Sequence, residues 1–527
     1  MNNLVSAETS ALIDRTASTE WGLNPFALVE AAGRNMADKL AVFLDAASGG
    51  EHQKTKEWTP FRMLRNPLEV VAFVGSGNNG ADAMVMLKTL ILNGKLQPAH
   101  CRVILNRMST EAEQTPRSES LKLLVKMGVP FFDFAAWKVS PCNKNAAIVI
   151  DGIAGTGLKE QLAGTAMEMA RTINEMKRQA PVVVVSIDVP SGLFDEWSVD
   201  MPIVNADITL AVEPRKLCLY KPSARIFAGR IEGVDGIFPQ KIVDAFVDKE
   251  NAELFTWETV KTRIPKIALN VHKYQRGLAE IHAGSVGCAG AARIAATGAQ
   301  TTGAGLVRLL IDEALYPILA RTAGGVMVAT ETDQSDRWKP DAVLLGPGWG
   351  NATDRPALFE KTLSRAAANG ATVVLDADAI PLFQKINSSL LSGAILTPHV
   401  GEFLKFANVY CGVSKETALS NLIPILKRIA AQTRATILFK SHVLIVVDAD
   451  GRIGVVDGMT PVLATGGSGD LLAGMTVGLA ARRVADPFIC AVAAASLLVA
   501  AGKAADSFAD PLELAKIVSK LASEAWA

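Results

Sequence analysis

The chain has 527 residues, more than one hydrophobic core ordinarily supports, so two or more domains are expected. Hydrophobic residues make up 49% and charged residues 20%, ordinary for a soluble globular protein. Lysine plus arginine equals aspartate plus glutamate at 53 each, which removes any electrostatic argument for nucleic acid or an anionic membrane as partner.

Residues 10–44 predict one or two helices, with Leu28, Ala31, Ala32, Met36, Ala37 and Leu40 on one face at helical spacing. The opening residues carry no basic region followed by an apolar run, so a signal peptide is not expected. Residues 46–66 are polar and unpatterned and predict an exposed insertion. Strand-length apolar runs then alternate with helical patterns. Val70–Val74, Arg102–Leu105, Ala147–Ile150 and Val182–Ile187 are the strand candidates of the first half. Short Val/Ile runs separated by helices indicate a parallel sheet covered on both faces. The pattern weakens over about 236–268, which gives domains at 1–240 and 269–527 with a linker at 241–268. It restarts with Leu278–Ile281, Ala342–Leu345, Thr372–Leu375, Ala394–Leu396, Thr436–Phe439 and Leu444–Val447. The longest apolar stretch, Phe488 to Ala501, is too short to span a bilayer and predicts a buried core helix. Six scattered cysteines without a CxxC pair form neither a disulfide framework nor a zinc signature, and fit a reduced, cytoplasmic setting. Two α/β domains follow from pattern alone.

The first strand runs into Gly75-Ser76-Gly77-Asn78-Asn79-Gly80-Ala81-Asp82 and then an amphipathic helix. Ligands bind beyond the carboxyl ends of strands in an open parallel sheet, and glycines at such a turn let backbone N–H groups approach a phosphate. Gly75, Gly77 and Gly80 match GxGxxG, but the next strand ends in Asn106-Arg107 rather than in an acidic residue. Ordinary NAD cofactor binding is therefore disfavoured. Two further loops, Asp151 to Leu158 and Asp188 to Leu193, follow strands. Asn79, Asp151 and Ser191 would meet at one sheet edge and offer oxygens suited to a hard cation. Asp188 is left as a candidate base. Each loop alone reads first as a capped βα turn; three on consecutive strand ends favour a site.

These segments, GSGNNGAD, DGIAGTGL, DVPSGL and AGRIEGVDGIFP, resemble the epimerase domain of bifunctional NAD(P)H-hydrate repair enzymes over about residues 10–240. The resemblance implies a Rossmann-like three-layer αβα fold and a potassium ion on Asn79, Asp151 and Ser191. It implies substrate contacts from Asn78, Asn79, Gly80, Ala81 and Asp82, from Gly155, Thr156, Gly157, Leu158, Lys159, Glu160 and Gln161, and from Asp188. The implied reaction interconverts R and S hydrates. The family usually reads NNGGDG where this chain has Ala81 and Ala83. A methyl group is costly there if either position needs positive φ or close approach to the ligand, and harmless or even favourable if both lie in the first helical turn.

In the second half, Ala464-Thr465-Gly466-Gly467-Ser468-Gly469-Asp470 leads straight into a helix. The N–H groups of Gly467, Ser468 and Gly469 can form an anion hole at its N-terminus. Asp470 then sits where it can take a proton from a hydroxyl being phosphorylated. GPGWG (Gly346 to Gly350), LDADA (Leu375 to Ala379), TPHVGE (Thr397 to Glu402) and Lys440 follow other strand candidates, and His272-Lys273 and GSVGCAGAA (Gly284 to Ala292) lie upstream. A lone His399 reads first as structural, and Glu402 alone as a capping carboxylate.

In this order the motifs resemble the ribokinase-like αβα domain of NAD(P)H-hydrate dehydratases. The resemblance implies that Asp470 and His399 contact the hydrate, with Gly290, Ala291 and Gly348 or Gly350 lining its site. It implies nucleotide contacts from Gly469 and from Lys440, Ser441, His442, Val443 and Leu444, and a magnesium ion near Glu402 and Asp376. ADP, or ATP, would phosphorylate the hydroxyl of the S hydrate, and phosphate would then leave to restore NADH or NADPH. The chain departs from the family's HKGxxG at Tyr274, from its KG at Ser441 and from its GG at Ala283. Assembly into an oligomer is a further implication. Two other readings remain open: a small-molecule kinase on the same fold, and a dehydratase whose N-terminal half only binds.

Overall fold

The computed structural model describes residues 2–47, 68–107, 114–139, 147–250, 252–322, 324–333, 337–383, 392–505 and 508–527. The expected insertion lies, from residue 48 onward, outside the described residues. The chain forms two compact units, Met1–Ala252 and Glu253–Ala527.

In the first unit, helices α1 (Ala7–Thr19) and α2 (Pro25–Ala47) precede the sheet. Ser6 caps α1 by accepting a hydrogen bond from the Thr9 N–H, which satisfies an otherwise orphaned donor. Seven strands follow: β1 (Val70–Val74), β2 (Cys101–Leu105), β3 (Phe131–Asp133), β4 (Ile148–Gly152), β5 (Val183–Ile187), β6 (Ile208–Val212) and β7 (Arg230–Val234). Their order is β3-β2-β1-β4-β5-β6-β7, all parallel. Strands β1 and β5 are buried throughout, as covering helices on both faces require. The order reverses between β1 and β4, and such a switch point opens a crevice at the carboxyl ends of the strands. The four expected strands are β1, β2, β4 and β5. Strand β7 escaped the pattern because RIEGV carries charge at alternate positions on a sheet edge. The helix α3 (Asn78–Leu92) leaves β1 directly over that crevice.

Residues 241–268, expected to be a linker, carry regular structure instead: most of a helix at Gln240–Glu250, a strand at Ala252–Leu254 and a short helix at Trp257–Val260. Lys241, Asp244 and Glu258 are exposed on these helices, which weakened the apolar pattern without removing the elements.

Among the described residues of the second unit these strands lie side by side: β8 (Leu278–His282), β9 (Leu306–Ile311), β10 (Met327–Thr330), β11 (Ala342–Leu345), β12 (Thr372–Leu375), β13 (Ile395–Leu396), β14 (Thr436–Phe439), β15 (Val443–Val447) and β16 (Ile453–Asp457). The order is β10-β9-β8-β11-β12-β13-β14-β15-β16. Pairings are parallel as far as β14, then antiparallel across β14-β15-β16. The pairing turns antiparallel there because a turn of only Lys440 to His442 joins β14 to β15 and is too short for a parallel crossover.

Helices α4 (Ala289–Thr301), α5 (Val400–Cys411), α6 (Ser468–Ala481), α7 (Pro487–Ala504) and α8 (Pro511–Trp526) cover this sheet. By length and composition α7 could cross a membrane, but most of it is buried in the core, the place expected for its apolar run. Helices α4 and α6 approach closely: a Cβ on Gly474 would lie 2.0 Å from the Ala295 carbonyl oxygen. Gly474→Ala should therefore force the two helices apart and cost about 1–3 kcal/mol. A drop in Tm of several degrees checks this, and an unchanged Tm would mean that the helix pair yields freely.

Candidate active sites

A cavity of about 600 Å³ opens at the carboxyl ends of β1, β4 and β5, the crevice that the strand order dictates. Asn78, Asn79, Asp82, Gly155, Thr156, Gly157, Leu158 and Asp188 line it, together with Asp14 of α1 and Lys216. Five expected contacts lie elsewhere. Lys159, Glu160 and Gln161 are exposed outside the cavity lining. Gly80 packs against the first strand, where a Cβ would meet Val74 and the Gly75 carbonyl. Ala81 is buried against Val29 and Val85. Neither Ala81 nor Ala83 has positive φ; both are fully buried within α3, so the backbone accepts their methyl groups.

Asp151 is fully buried at the end of β4. Its Oδ2 accepts hydrogen bonds from Ser186 Oγ (2.7 Å) and the Ser191 N–H (2.9 Å), and its Oδ1 from Ser191 Oγ (2.5 Å). These donors are all neutral. Burial raises its pKa in spite of them. Asn79 lies beside this loop, since a Cβ on Gly155 would be 2.8 Å from Asn79 Oδ1, and its Nδ2 is buried without a partner. The three expected cation ligands therefore share one edge of the sheet.

Asp188 holds a left-handed backbone conformation (φ 66°), uncommon for a non-glycine residue. Its Oδ1 accepts from Lys216 Nζ (2.5 Å) and the Val212 N–H (3.1 Å). Lys216 is fully buried and also donates to the Val212 carbonyl (2.9 Å). Asp82 is buried with one unpartnered carboxylate oxygen. Burial, then the charges of Asp188 and Asp14, push its pKa well above the carboxylate range. Asp82 and Asp188 thus face one cavity, the first with an unpartnered oxygen and the second ion-paired with Lys216. Lys216 and Asp14 had no signal in the sequence, lying far from any glycine motif.

In the second unit Asp470 sits in the first turn of α6, behind Gly467 in left-handed conformation. Burial and then the charge of Asp376 push its pKa up to about 6, although Lys440 pulls it down. Lys440 Nζ donates to Asp376 Oδ1 (2.5 Å), which also accepts from Thr397 Oγ1 (2.7 Å). The His399 and Lys440 backbones form a parallel bridge, which brings TPHVGE and the Lys440 turn to one edge. His399 caps α5: its Nδ1 accepts from the Gly401 N–H (2.9 Å), and Glu402 Oε2 accepts from the His399 N–H (2.8 Å). An accepting Nδ1 leaves the proton on Nε2 of an exposed ring. Glu402 and Asp376 are thus both engaged, and among the described residues no three His, Cys, Asp or Glu side chains are grouped to hold a metal ion.

Ala291, Gly348 and Gly350 belong to one surface. A Cβ on Gly348 would lie 2.9 Å from that of Ala291, and Gly350 donates its N–H to Asp378 Oδ2 (2.8 Å). Gly290 faces open space. A second cavity, of about 250 Å³, is lined by Lys440, Ser441, His442, Leu444, Ser468 and Gly469, with an apolar wall from Leu463, Leu472, Leu498 and Val499. Of the expected nucleotide contacts, Val443 is buried in its strand and Gly467 caps α6; neither lines this cavity. The apolar wall was hidden in the sequence because its residues read as core.

A family model described as NAD(P)H-hydrate dehydratase matches residues 279–522, and one described as YjeF-related protein N-terminus matches residues 25–218. A bifunctional NAD(P)H-hydrate repair enzyme of Moorella thermoacetica is 27% identical over 95% of this chain and 92% of its own length. One of Salinibacter ruber is 27% identical over 99% and 96%. A crystal structure of an ADP/ATP-dependent NAD(P)H-hydrate dehydratase from Bacillus subtilis, co-crystallized with ATP and magnesium, is 24% identical, covers 52% of this chain and 98% of its own, and has a TM-score of 0.45. With both halves matched in sequence and both relatives covered almost end to end, the chain belongs to the bifunctional NAD(P)H-hydrate repair enzymes.

Proposed function

We propose that this chain repairs hydrated NADH and NADPH with two separate sites, an epimerase in the first unit and a nucleotide-dependent dehydratase in the second. One observation carries the reading: each family-matched half has its own strand-end cavity or loop edge with a carboxyl group of raised pKa, Asp82 in one and Asp470 in the other.

In the epimerase, Asp82, kept neutral by burial, donates a proton as the hydroxyl leaves the carbon beside the ring nitrogen. The nitrogen lone pair fills the vacancy. Water returns from the opposite face and gives its proton to Asp188, which Lys216 holds in place. Solvent restores the starting protonation, and the reverse conversion exchanges the two roles. Asn79, Asp151 and Ser191 would hold a potassium ion. A fully buried carboxylate whose bonds come from hydroxyl and backbone donors fits a cation. Potassium would supply fixed positive charge beside the substrate.

In the dehydratase, Asp470 takes the proton of the ring hydroxyl as its oxygen attacks the terminal phosphoryl group of the nucleotide. The N–H groups of Ser468 and Gly469 face the charge that develops there. The nucleotide leaves one phosphoryl group shorter, as AMP from ADP or as ADP from ATP. Phosphate then leaves as the neighbouring carbon gives its proton to water, which restores the double bond, and Asp470 returns its proton to solvent. His399, Gly290, Ala291, Gly348 and Gly350 position the hydrate. Lys440 to Leu444 hold the nucleotide, with ADP as the first donor. The described residues build no magnesium cage, so no step is assigned to that ion. The reading includes a reduced, cytoplasmic setting and assembly of copies.

The test is to give the purified protein both hydrate epimers with ADP, ATP or neither, and to follow the absorbance of reduced nicotinamide. Full nucleotide-dependent recovery, faster than spontaneous epimerisation, supports both sites. Recovery that stalls at the S fraction reduces the first unit to a binding module. A stable phosphorylated product without recovery makes the second unit a kinase.

A further inference from the structure

We propose that Trp349 is the anchor that sets the hydrate-facing loop of the second unit, and that Glu331 and Arg355 are positioning residues acting through it. The inference rests on the dehydratase reading above. Trp349 lies between Gly348 and Gly350, which have φ of 55° and 75°, and Gly346 stands just before at 123°. Three glycines in the left-handed region make this a segment whose backbone has many alternatives unless something outside it chooses one. Trp349 is the one side chain of the loop large enough to be held.

It is held on three sides. The residue is fully buried. Its indole N–H donates to the Glu331 carboxylate. The same carboxylate is ion-paired with the Arg355 guanidinium, which lies 5.1 Å from the centre of the indole ring, at cation–π distance. Arg355 is itself buried, and Asp312 stands 3.7 Å from it on the far side. The His282 ring packs edge-on against the indole, with centroids 6.2 Å apart. His282 is in turn fixed to Glu280 (3.1 Å), a buried carboxylate that Arg308 and Arg365 also hold. Glu331 follows β10, Arg355 begins the helix Arg355–Asn369, and His282 ends β8. Three separate elements therefore converge on one indole.

The direction of the loop follows. With the indole pinned inward, the flanking glycines turn outward. Gly348 accepts from Ser285 Oγ through its carbonyl (3.0 Å) and faces Ala291, and Gly350 donates to Asp378 (2.8 Å). Loosening the anchor leaves every group that performs the chemistry in place and blurs only where the hydrate sits. A displacement of that kind appears first as weaker substrate binding.

The experiment compares the full-length protein with Glu331→Ala, Trp349→Phe and the double variant. We expect each single variant to raise KM for the S hydrate about tenfold while kcat and the nucleotide KM stay within about twofold. The double variant should be no worse than either single one, because both break the same contact. Amide exchange at Gly346 to Gly350 should quicken in the same variants. If the wild-type enzyme dehydrates the hydrate and both variants keep its KM and its exchange pattern, the anchor is overturned and the function stands. If the wild-type enzyme has no dehydratase activity, the functional reading falls, and amide exchange alone still decides whether Glu331 orders the loop. A loss of kcat and nucleotide affinity together would mark a general structural role and overturn the proposal as well.

Discussion

Asp470→Asn should abolish recovery of NADH from the S hydrate, with kcat falling by about 10²–10⁴ and nucleotide binding retained. The amide keeps the size and place of the carboxyl group in the first turn of α6 but cannot take a proton. The pH dependence should carry the same signature. Burial and Asp376 push the Asp470 pKa up to about 6. The carboxylate form needed as base is therefore depleted below that value and predominates above it. In the wild-type enzyme log kcat should rise with unit slope below pH 6 and level off above it. Because Lys440 lowers this pKa, Lys440→Met should move the limb to higher pH. Steady-state rates of the three proteins between pH 5 and 8, with isothermal titration of ADP as control, check both points. An Asp470→Asn enzyme within tenfold of wild type would remove Asp470 from the proton transfer.

What could be read from the chain, and what could not, divides along physical lines. A buried parallel strand is a short continuous apolar run, so β1, β4, β5, β11, β12 and β14 stand out. The loops after them stand out too, because glycine, aspartate and proline are what a tight strand-end turn requires. Strand β9 did not, because LVRLLI carries Arg308 in its middle. That arginine is buried without undue cost because Glu280, two strand positions from His282, lies across from it at 2.9 Å. A run-based reading counts the charge and cannot see its partner. The same blindness concealed Lys216: its meaning depends wholly on Asp188, 28 residues away in sequence and 2.5 Å away in space. The Ala81 and Ala83 question was legible as a question only. Its answer depended on where α3 begins, at Asn78, early enough to take both alanines into the helix.

Asp188→Asn should remove epimerisation, slowing the R-to-S conversion by at least about 10², and should also destabilise the first unit. The second effect has a separate cause. Lys216 is fully buried, and its short ion pair with Asp188 balances its charge. Removing one partner of a buried pair typically costs about 3–5 kcal/mol. The low end is expected here, because Asp14 lies close enough to feel the Lys216 charge and can take up part of it. A lost activity could then be blamed on a loosened fold. The double variant Asp188→Asn with Lys216→Met separates the two. It removes both charges together, so Tm should return most of the way to the wild-type value while epimerisation stays absent. Thermal denaturation of the variants, beside chiral chromatography of the hydrate, reads the two effects independently. If epimerisation returned with stability in the double variant, Asp188 would be a structural partner of Lys216, and the proton acceptor would have to be sought in Asp14 or Asp82, the remaining carboxyl groups of the cavity.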